Sequence, residues 1–340
     1  LPMLGLATYL HVQLRRVCCA ECGQRMQQVS WLAPHSRMTE RLERTLGQLT
    51  RLMATEHVAR LFGLHWSTVR ASERKALQHT LDQLPVAEPK RLIMDEFALF
   101  KGHRYASVVL DADTGRVLWV GVGRSRRELR PFFEQLGVQG CLRIEAVAMD
   151  MNTAYDLEVK RHCPNARVVY DLFHVIAKYG REVISRVRVD AANELRHDRP
   201  ARRVIKQAHW LLLRNPTTLA ASEQIRLKDV LQANQSLLVT YLMKAQLREL
   251  WHAPSAWEWR RQWNAWHAMA RESAIPSLIH FASVLRRYWR GILARVRWPM
   301  HTGKLEGINN RIKVIKRMAY GYRDTDFFFM KIRATFPGNP

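Results

Sequence analysis

Disulfide chemistry has little to work with in this sequence, which holds five cysteines in 340 residues, an odd number and mostly scattered. That count excludes a disulfide framework and fits a reducing compartment. Apolar runs are short as well, none approaching the ~18 residues that a membrane span requires. No secretory leader pattern opens the chain, and Leu1 in place of Met points to a true N-terminus lost upstream. Acid is scarce relative to its opposite: 30 Asp plus Glu stand against 54 Lys plus Arg, a formal net charge of +24 with pI near 10.6. An excess of that size, spread over every region, goes beyond what solubility asks. It fits nucleic acid, whose phosphates such a surface neutralises. What is present in quantity is apolar: 47% of residues, enough for real cores in a chain whose length suggests about two domains.

The chain is organised around residues 91–101, RLIMDEFALFK. The apolar run Leu92-Ile93-Met94 carries the acidic pair Asp95-Glu96 and then turns apolar again. Side chains alternate along a strand, so these two acids point to opposite faces. A carboxylate at the end of a buried strand is costly unless a metal ion, Arg or Lys compensates it. Strand-like segments follow at 104–110 and 116–122, joined by a turn rich in Asp and Gly, so the acid-bearing strand opens an antiparallel meander. An amphipathic helix runs from Ser125 to Leu136 and is ended by Gly137. Residues 144–150 read as a buried strand closed by Asp150. Asn152 or Thr153 then starts a helix through His162, and 167–171 form a further strand closed by Asp171. Three antiparallel strands, then helix, strand, helix, strand, is the RNase H-like order, an α/β fold built on a mixed sheet.

Upstream of this core, residues 1–38 contain Cys19-x2-Cys22 followed by glycine, the shape of one knuckle of a zinc ribbon. Zinc needs four ligands, so a second pair would have to lie upstream, and free cysteines in a loop are the alternative. Residues 39–85 read as a helix-turn-helix domain. Leu42, Leu46, Leu49 and Met53 recur at helical spacing, and then Val58, Ala59 and Phe62, a turn at Gly63 and an inward Val69 complete the layout. Arg70, Arg74 and Lys75 are left to face DNA. His65 stands where Ser or Thr more often caps the second helix. Prolines at 85 and 89 make a linker to the core at 90–175.

From 176 to 300 the pattern is almost wholly helical. Trp259, Trp263 and Trp266 fall on one helical face, which reads as packed core, with base stacking as the alternative. The last segment, 301–335, carries HTGKLEGINNRIKVIKR. Leu305, Ile308, Ile312 and Ile315 make an apolar stripe, while Glu306, Asn310, Lys313 and Arg317 make a separate polar one.

Asp95, Asp150 and Glu306 thus stand at three separate element ends. Two-metal phosphoryl transfer uses such a set, with hard oxygens holding two Mg²⁺ (or Mn²⁺) ions about 3.5–4 Å apart. Strands of an RNase H-type sheet would put the two aspartates side by side, where repulsion raises at least one pKa. Each acid has a rival reading: Glu96 as the ligand in place of Asp95, Asp150 as a helix cap, Glu306 as a solvated first-turn acid. Asp171 is better placed as a helix N-cap, and Asp111 and Asp113 as turn residues.

With these residues assembled, the chain resembles DDE transposases of bacterial insertion sequences, of the ISL3 family. The resemblance runs over nearly the whole length. It rests on MDEFA and KGHRY at 94–98 and 101–105, the Asp150 strand, YDLFH at 170–174, KLEGINNRIK at 304–313 and YGYR at 320–323. It implies Asp95, Asp150 and Glu306 as the catalytic and metal-binding triad, with Lys304, Asn310, Lys313, Lys316 and Arg317 holding DNA phosphates nearby. The 176–300 helices then correspond to an insertion domain interrupting the core, whose final helix and tail are 301–335. The implied partners are duplex terminal inverted repeats and target DNA, with the protein a homodimer or higher multimer in the bacterial cytoplasm, at the nucleoid. The first zinc knuckle is missing, so structural Zn²⁺ at Cys19 and Cys22 depends on residues beyond this sequence. The rivals are a resolvase-like nuclease of the same fold and a non-catalytic regulator, domesticated or truncated, which would have no need of three separate carboxylates.

Overall fold

A computed structural model describes residues 8–33, 36–300 and 303–339. The first seven residues of the half-knuckle segment, and His301 and Thr302 at the head of the last one, lie outside the described residues. The chain divides into two compact units. One comprises Leu1–Ala87, Thr114–Val120 and Glu306–Pro340, the other Glu88–Asp113 and Gly121–Leu305.

The first unit opens with an antiparallel hairpin of β1 (Arg16–Cys19) and β2 (Gly23–Met26). Three helices follow: α1 (Glu40–Leu49), α2 (Thr55–Phe62) and α3 (Trp66–Asp82). The Thr39 hydroxyl caps α1 by accepting from the Leu42 amide at 3.3 Å, one of the orphan donors of a helix start. Gly63 ends α2 at φ 61°, a left-handed conformation that a side chain resists. His65 does cap α3, its Nδ1 accepting from Ser67 N at 3.3 Å. Leu46, Val58 and Val69 are fully buried, with Ala59 beside them and Leu42, Leu49, Met53 and Phe62 packed around them. The periodicity therefore translates into a helix-turn-helix.

The sheet is built from β3 (Arg91–Phe100), β4 (Arg104–Asp111), β5 (Val117–Val122), β6 (Ala146–Met149) and β7 (Arg167–Tyr170). Its order is β5-β4-β3-β6-β7. β3 pairs antiparallel with β4 and parallel with β6, and β6 pairs parallel with β7. The parallel pairs need crossovers, which α4 (Arg126–Arg143) and α5 (Thr153–His162) supply. Gly137, at φ 72°, ψ 168°, ends the first helix of this span as the sequence suggests; a second helical stretch follows it to Arg143, so α4 is two helices joined across a kink. At the start of α4 the Glu128 carboxylate reaches back to the amides of Ser125 (2.8 Å) and Arg124 (3.0 Å). Gly123 leaves room for it: a Cβ there would lie 2.0 Å from the Glu128 carboxyl carbon.

Beyond β7 come α6 (Leu172–Tyr179), α7 (Ser185–Glu194), α8 (Arg199–Gln207), α9 (His209–Leu213), α10 (Ala221–Ala233), α11 (Gln235–Glu249), α12 (Ala256–Glu272), α13 (Pro276–Leu285) and α14 (Trp289–Ala294). Asp171 caps α6, its Oδ1 accepting from the Phe173 amide at 3.3 Å. Trp259, Trp263 and Trp266 are 1%, 6% and 1% exposed, so their shared face is core. The Trp266 indole N–H donates to the Met243 carbonyl at 2.9 Å.

The chain closes with α15 (Gly303–Met318) and α16 (Thr325–Thr335). The two stripes on α15 separate as the spacing requires. Leu305, Ile312 and Ile315 are buried, while Glu306, Asn310, Lys313 and Arg317 are exposed. In the first unit α16 is tied to α3 by a buried pair, Lys331 Nζ to Glu73 Oε1 at 2.6 Å.

Candidate active site

Register decides where the first two acids stand. Ile93 of β3 pairs in parallel with Ala148 of β6, the last of the paired positions. Asp95 and Asp150 each lie two residues further on, so they occupy equivalent positions just past the parallel pairing of β3 with β6. β3 itself runs on to Phe100 against β4, so Asp95 stands within its strand, not at its end, while Asp150 follows the end of β6. Neighbouring strands lie about 4.8 Å apart, and the carboxyl ends of parallel strands are where open α/β sheets bind ligands.

The electrostatics of this corner are those of crowded acids. Burial raises the Asp95 carboxyl to about 6; a backbone hydrogen bond at Glu96 and the proximity of His174 oppose this, while the charges of Glu96 and Asp150 add to it. Asp150 is also raised, first by burial and then by Glu96, against relief from His174 and Arg124. Two carboxylate oxygens here, Asp150 Oδ1 and Glu96 Oε2, are buried with no hydrogen-bond partner among the described residues. An unsatisfied buried carboxylate oxygen is expensive and marks a place where something else belongs. Glu96 is differently served by its other oxygen, which accepts from Arg124 Nη1 at 3.0 Å. The Arg124 guanidinium in turn lies 4.2 Å from the centre of the Tyr105 ring. At Asp95 and Asp150 burial and the neighbouring acids outweigh the relief that His174 gives both and Arg124 gives Asp150.

Three residues that the sequence did not single out for this site shape it. Arg124 reaches it from the loop before α4, and His174 from the first turn of α6. Tyr155 of α5 is buried beneath it, its hydroxyl 2.7 Å from Ser107 Oγ, which donates to the Gly123 carbonyl at 2.7 Å. The same phenol donates to the Asp95 carbonyl at 3.4 Å, steadying the strand that bears the acid. YDLFH at 170–174 was the only sequence signal that touched any of the three.

The other expected residues are placed separately. Glu306 is exposed in the first turn of α15, among residues of the first unit, whereas Asp95 and Asp150 belong to the second. Lys304 donates to the Ala112 carbonyl at 3.1 Å, and Lys313 to Asn310 Oδ1 at 3.3 Å. Arg317 is exposed, and Lys316 is half-buried, its ammonium pKa lowered by that burial. On α3, Arg70 and Arg74 both donate to Asp324 Oδ2 at 3.0 Å, and Lys75 to Glu43 Oε2 at 2.6 Å. Arg70 also lies over the Phe327 ring, 3.4 Å from its centre. These three cations hold acids of their own unit. Asp113 bonds with Arg91 and takes the Asp111 side chain on its amide, as turn residues do.

The site's donors are hard oxygens, which suit Mg²⁺ or Mn²⁺. Among the described residues no three acids, histidines or cysteines gather into a closed cage; the two aspartates form an open corner. At the β1–β2 turn the Cys19 thiol pKa is lowered by the backbone amides of Cys22 and Glu21 and by the Cys22 side chain, which puts the two sulfurs at one knuckle. Two thiolates are half of a zinc site.

Comparison with known proteins points to one family. The ISL3-type DDE model described as "Transposase" matches residues 92–332, and the model described as the helix-turn-helix domain of transposase family ISL3 matches residues 27–71. The transposase for insertion sequence element IS1001 of Bordetella parapertussis is 51% identical over 341 residues, covering 100% of this chain and 84% of the relative. The transposase for insertion sequence element IS1557 of Mycobacterium tuberculosis is 26% identical over 353 residues, covering 97% of this chain and 79% of the relative.

Proposed function

The chain belongs to the ISL3 family of DDE transposases, and from that premise we propose that Asp95, Asp150 and Glu306 are the carboxylates that cut transposon ends and join them to target DNA. The observation that carries the assignment is the matched position of Asp95 and Asp150 on adjacent parallel strands. Glu306 would complete the set from α15. The sheet and its crossovers are then an RNase H-like core over 90–175, entered by the helix-turn-helix of 39–85. The helices of 176–300 form an insertion domain, and the last helices of 301–335 return to the core.

Asp95 and Asp150 would hold the divalent ions, with the bare Asp150 Oδ1 aimed at one of them. Bound there, such ions supply Lewis-acid activation of the attacking oxygen and stabilisation of the leaving one. Arg124 keeps Glu96 from competing by holding one of its oxygens, and His174 offsets part of the negative charge that the two aspartates build up. Lys304, Asn310, Lys313, Lys316 and Arg317 position the phosphate backbone of the strand to be cut, and release of a 3′-OH then provides the nucleophile for strand transfer. The terminal repeat is held by α3. Arg70, Arg74 and Lys75 exchange their acids for phosphates, the last two with half or more of their side chains already exposed. A duplex repeat at each end calls for at least two copies of the chain. Zn²⁺ at Cys19 and Cys22 would need two further ligands from outside the described residues. Among the described residues no helix is long and apolar enough to cross a membrane, in keeping with work on DNA at the nucleoid.

The test is cleavage of a labelled duplex carrying the element's terminal repeat, with Mg²⁺ or Mn²⁺. Wild type should nick at the repeat, Asp150→Asn should fall to background, and Glu306→Ala should bind the duplex normally yet leave it intact. Tight binding without cleavage by wild type under either metal would leave a DNA-binding regulator as the reading.

A further inference from the structure

Within the helices that follow β7, α12 and the start of α14 line an open pocket of about 540 Å³. It falls in the range of roughly 300–1,000 Å³ typical of small-ligand sites. Trp259, Trp263 and Trp289 wall it, and Arg260, Arg286 and Arg287 stand around it. Trp259 and Trp263 stack, with ring centres 4.8 Å apart and planes 19° off parallel. The core reading accounts for these two rings as packing, but it leaves three features unexplained.

The first is charge. Arg261 is tied to Glu258 at 2.6 Å, whereas its neighbour Arg260, like Arg286 and Arg287, is exposed and has no acid partner among the described residues. Three unpaired guanidinium groups around one cavity repel one another and invite an anion. The second is the Trp259 indole N–H, which is buried at a 1% exposed residue with no hydrogen-bond partner. A Trp N–H shut away from water normally finds an acceptor. The third is Trp289, which lines the pocket while only half-buried.

A ligand that satisfies all three is planar, carries acceptors and is joined to a negative charge. A nucleotide has those parts, with a π-face for indole, ring acceptors for an N–H, and a phosphate for arginine. In duplex DNA the base faces are covered by their neighbours, so only an unpaired nucleotide can offer face and phosphate together. We infer that this pocket binds an unpaired nucleotide of a DNA strand, its base against the half-buried Trp289 ring and its phosphate on Arg260, Arg286 and Arg287. The inference rests on the transposase reading in one respect only, that cleaved or opened ends supply such nucleotides.

The full-length protein should be titrated with a short single-stranded oligodeoxynucleotide containing 2-aminopurine, and with the same strand in a duplex. Wild type should quench the single-strand fluorescence. Trp289→Ala and the pair Arg286→Ala/Arg287→Ala should each weaken single-strand binding about tenfold, in line with the loss of one stacked base or its phosphate grip. Duplex affinity should stay within about twofold and the melting temperature should be unmoved. Single-strand affinity and quenching unchanged in Trp289→Ala would overturn the pocket. Equal losses on single strand and duplex would also overturn it, by reducing the arginines to a general phosphate patch. Nicking of the terminal repeat, followed on the same preparations, separates the two readings. Quenching without nicking by wild type would count against the transposase chemistry and leave the pocket standing, while nicking without quenching would sink the pocket alone.

Discussion

Two kinds of buried acid stand in this molecule, and their surroundings are opposite. Glu158 of α5 is fully buried, yet Arg126 reaches it at 2.7 Å, Arg130 at 3.4 Å and His162 at 3.2 Å. Burial alone would raise its pKa; the hydrogen bond and charge of Arg126, then Arg130 and His162, reverse that and leave it lowered. Glu73 is 2% exposed and held by Lys331 Nζ and the Thr55 hydroxyl at 2.6 and 2.7 Å. At Asp95 and Asp150 burial and the charge of neighbouring acids outweigh the relief from His174, and both carboxyls are pushed up. An acid that serves the fold comes with its cation. An acid whose charge the fold offsets only in part leaves room for a further cation.

The largest effect should come from breaking a compensated pair. Lys331→Met strands the Glu73 carboxylate in the core and should cost about 3–5 kcal/mol in urea unfolding. The double variant Glu73→Gln/Lys331→Met should recover most of that loss, since removing both charges of a buried pair is often close to neutral. A single variant within about 1 kcal/mol of wild type would mean that Glu73 draws its support elsewhere and that the contrast is weaker than described.

The two kinds of acid differed in how far the sequence could reveal them. Asp95 and Asp150 were legible because strand alternation and strand ends are local, and because parallel pairing turns two such positions into neighbours. The helix-turn-helix was legible for the same reason, through Val58, Ala59, Gly63 and Val69. Compensation was not. Lys331 bonds Glu73 across 258 positions of sequence, and Arg70 bonds Asp324 across 254. No periodicity records such a pair, so the acids that Arg70, Arg74 and Lys75 hold in this structure were not foreseen. Gly137 stopped its helix as read, but the second helical stretch that follows it to Arg143 was not foreseen.

Neutralising an acid whose ionisation burial opposes should have the opposite sign. Asp95→Asn removes a carboxylate whose ionisation the fold opposes, so the metal-free protein should gain about 1–2 kcal/mol near neutral pH, discounted for the partial exposure of the site. Mg²⁺ should raise the melting temperature of wild type and leave Asp95→Asn unmoved, since only a site that binds the ion is stabilised by it. A variant less stable than wild type without metal would place Asp95 with Glu73 and Glu158, as an acid that the fold needs.

The same contrast extends to cations, with a smaller effect. Lys244 is 4% exposed and has no acid partner among the described residues; its Nζ donates to the Leu212 and Leu213 carbonyls at 2.6 and 3.3 Å. Burial, and then the charge of Arg248, lowers its pKa from 10.5 to about 8. Between those two values the folded state has released a proton that the unfolded chain still holds, so stability should rise with pH across that window. Below about 8 both states are protonated and the cost of the buried ammonium is carried in full. Other groups titrate in the same range, so the informative quantity is the difference from Lys244→Met, whose stability should lack this contribution, at most ~1.4 kcal/mol per pH unit. Parallel pH profiles for the two proteins would mean that the carbonyls compensate the ammonium fully. Dipoles would then do for Lys244 what Lys331 does for Glu73, and lacking a partner of opposite charge would not by itself mark a group as held for a ligand. The assignment of Asp95 and Asp150 would then rest on their shared position and mutual repulsion alone.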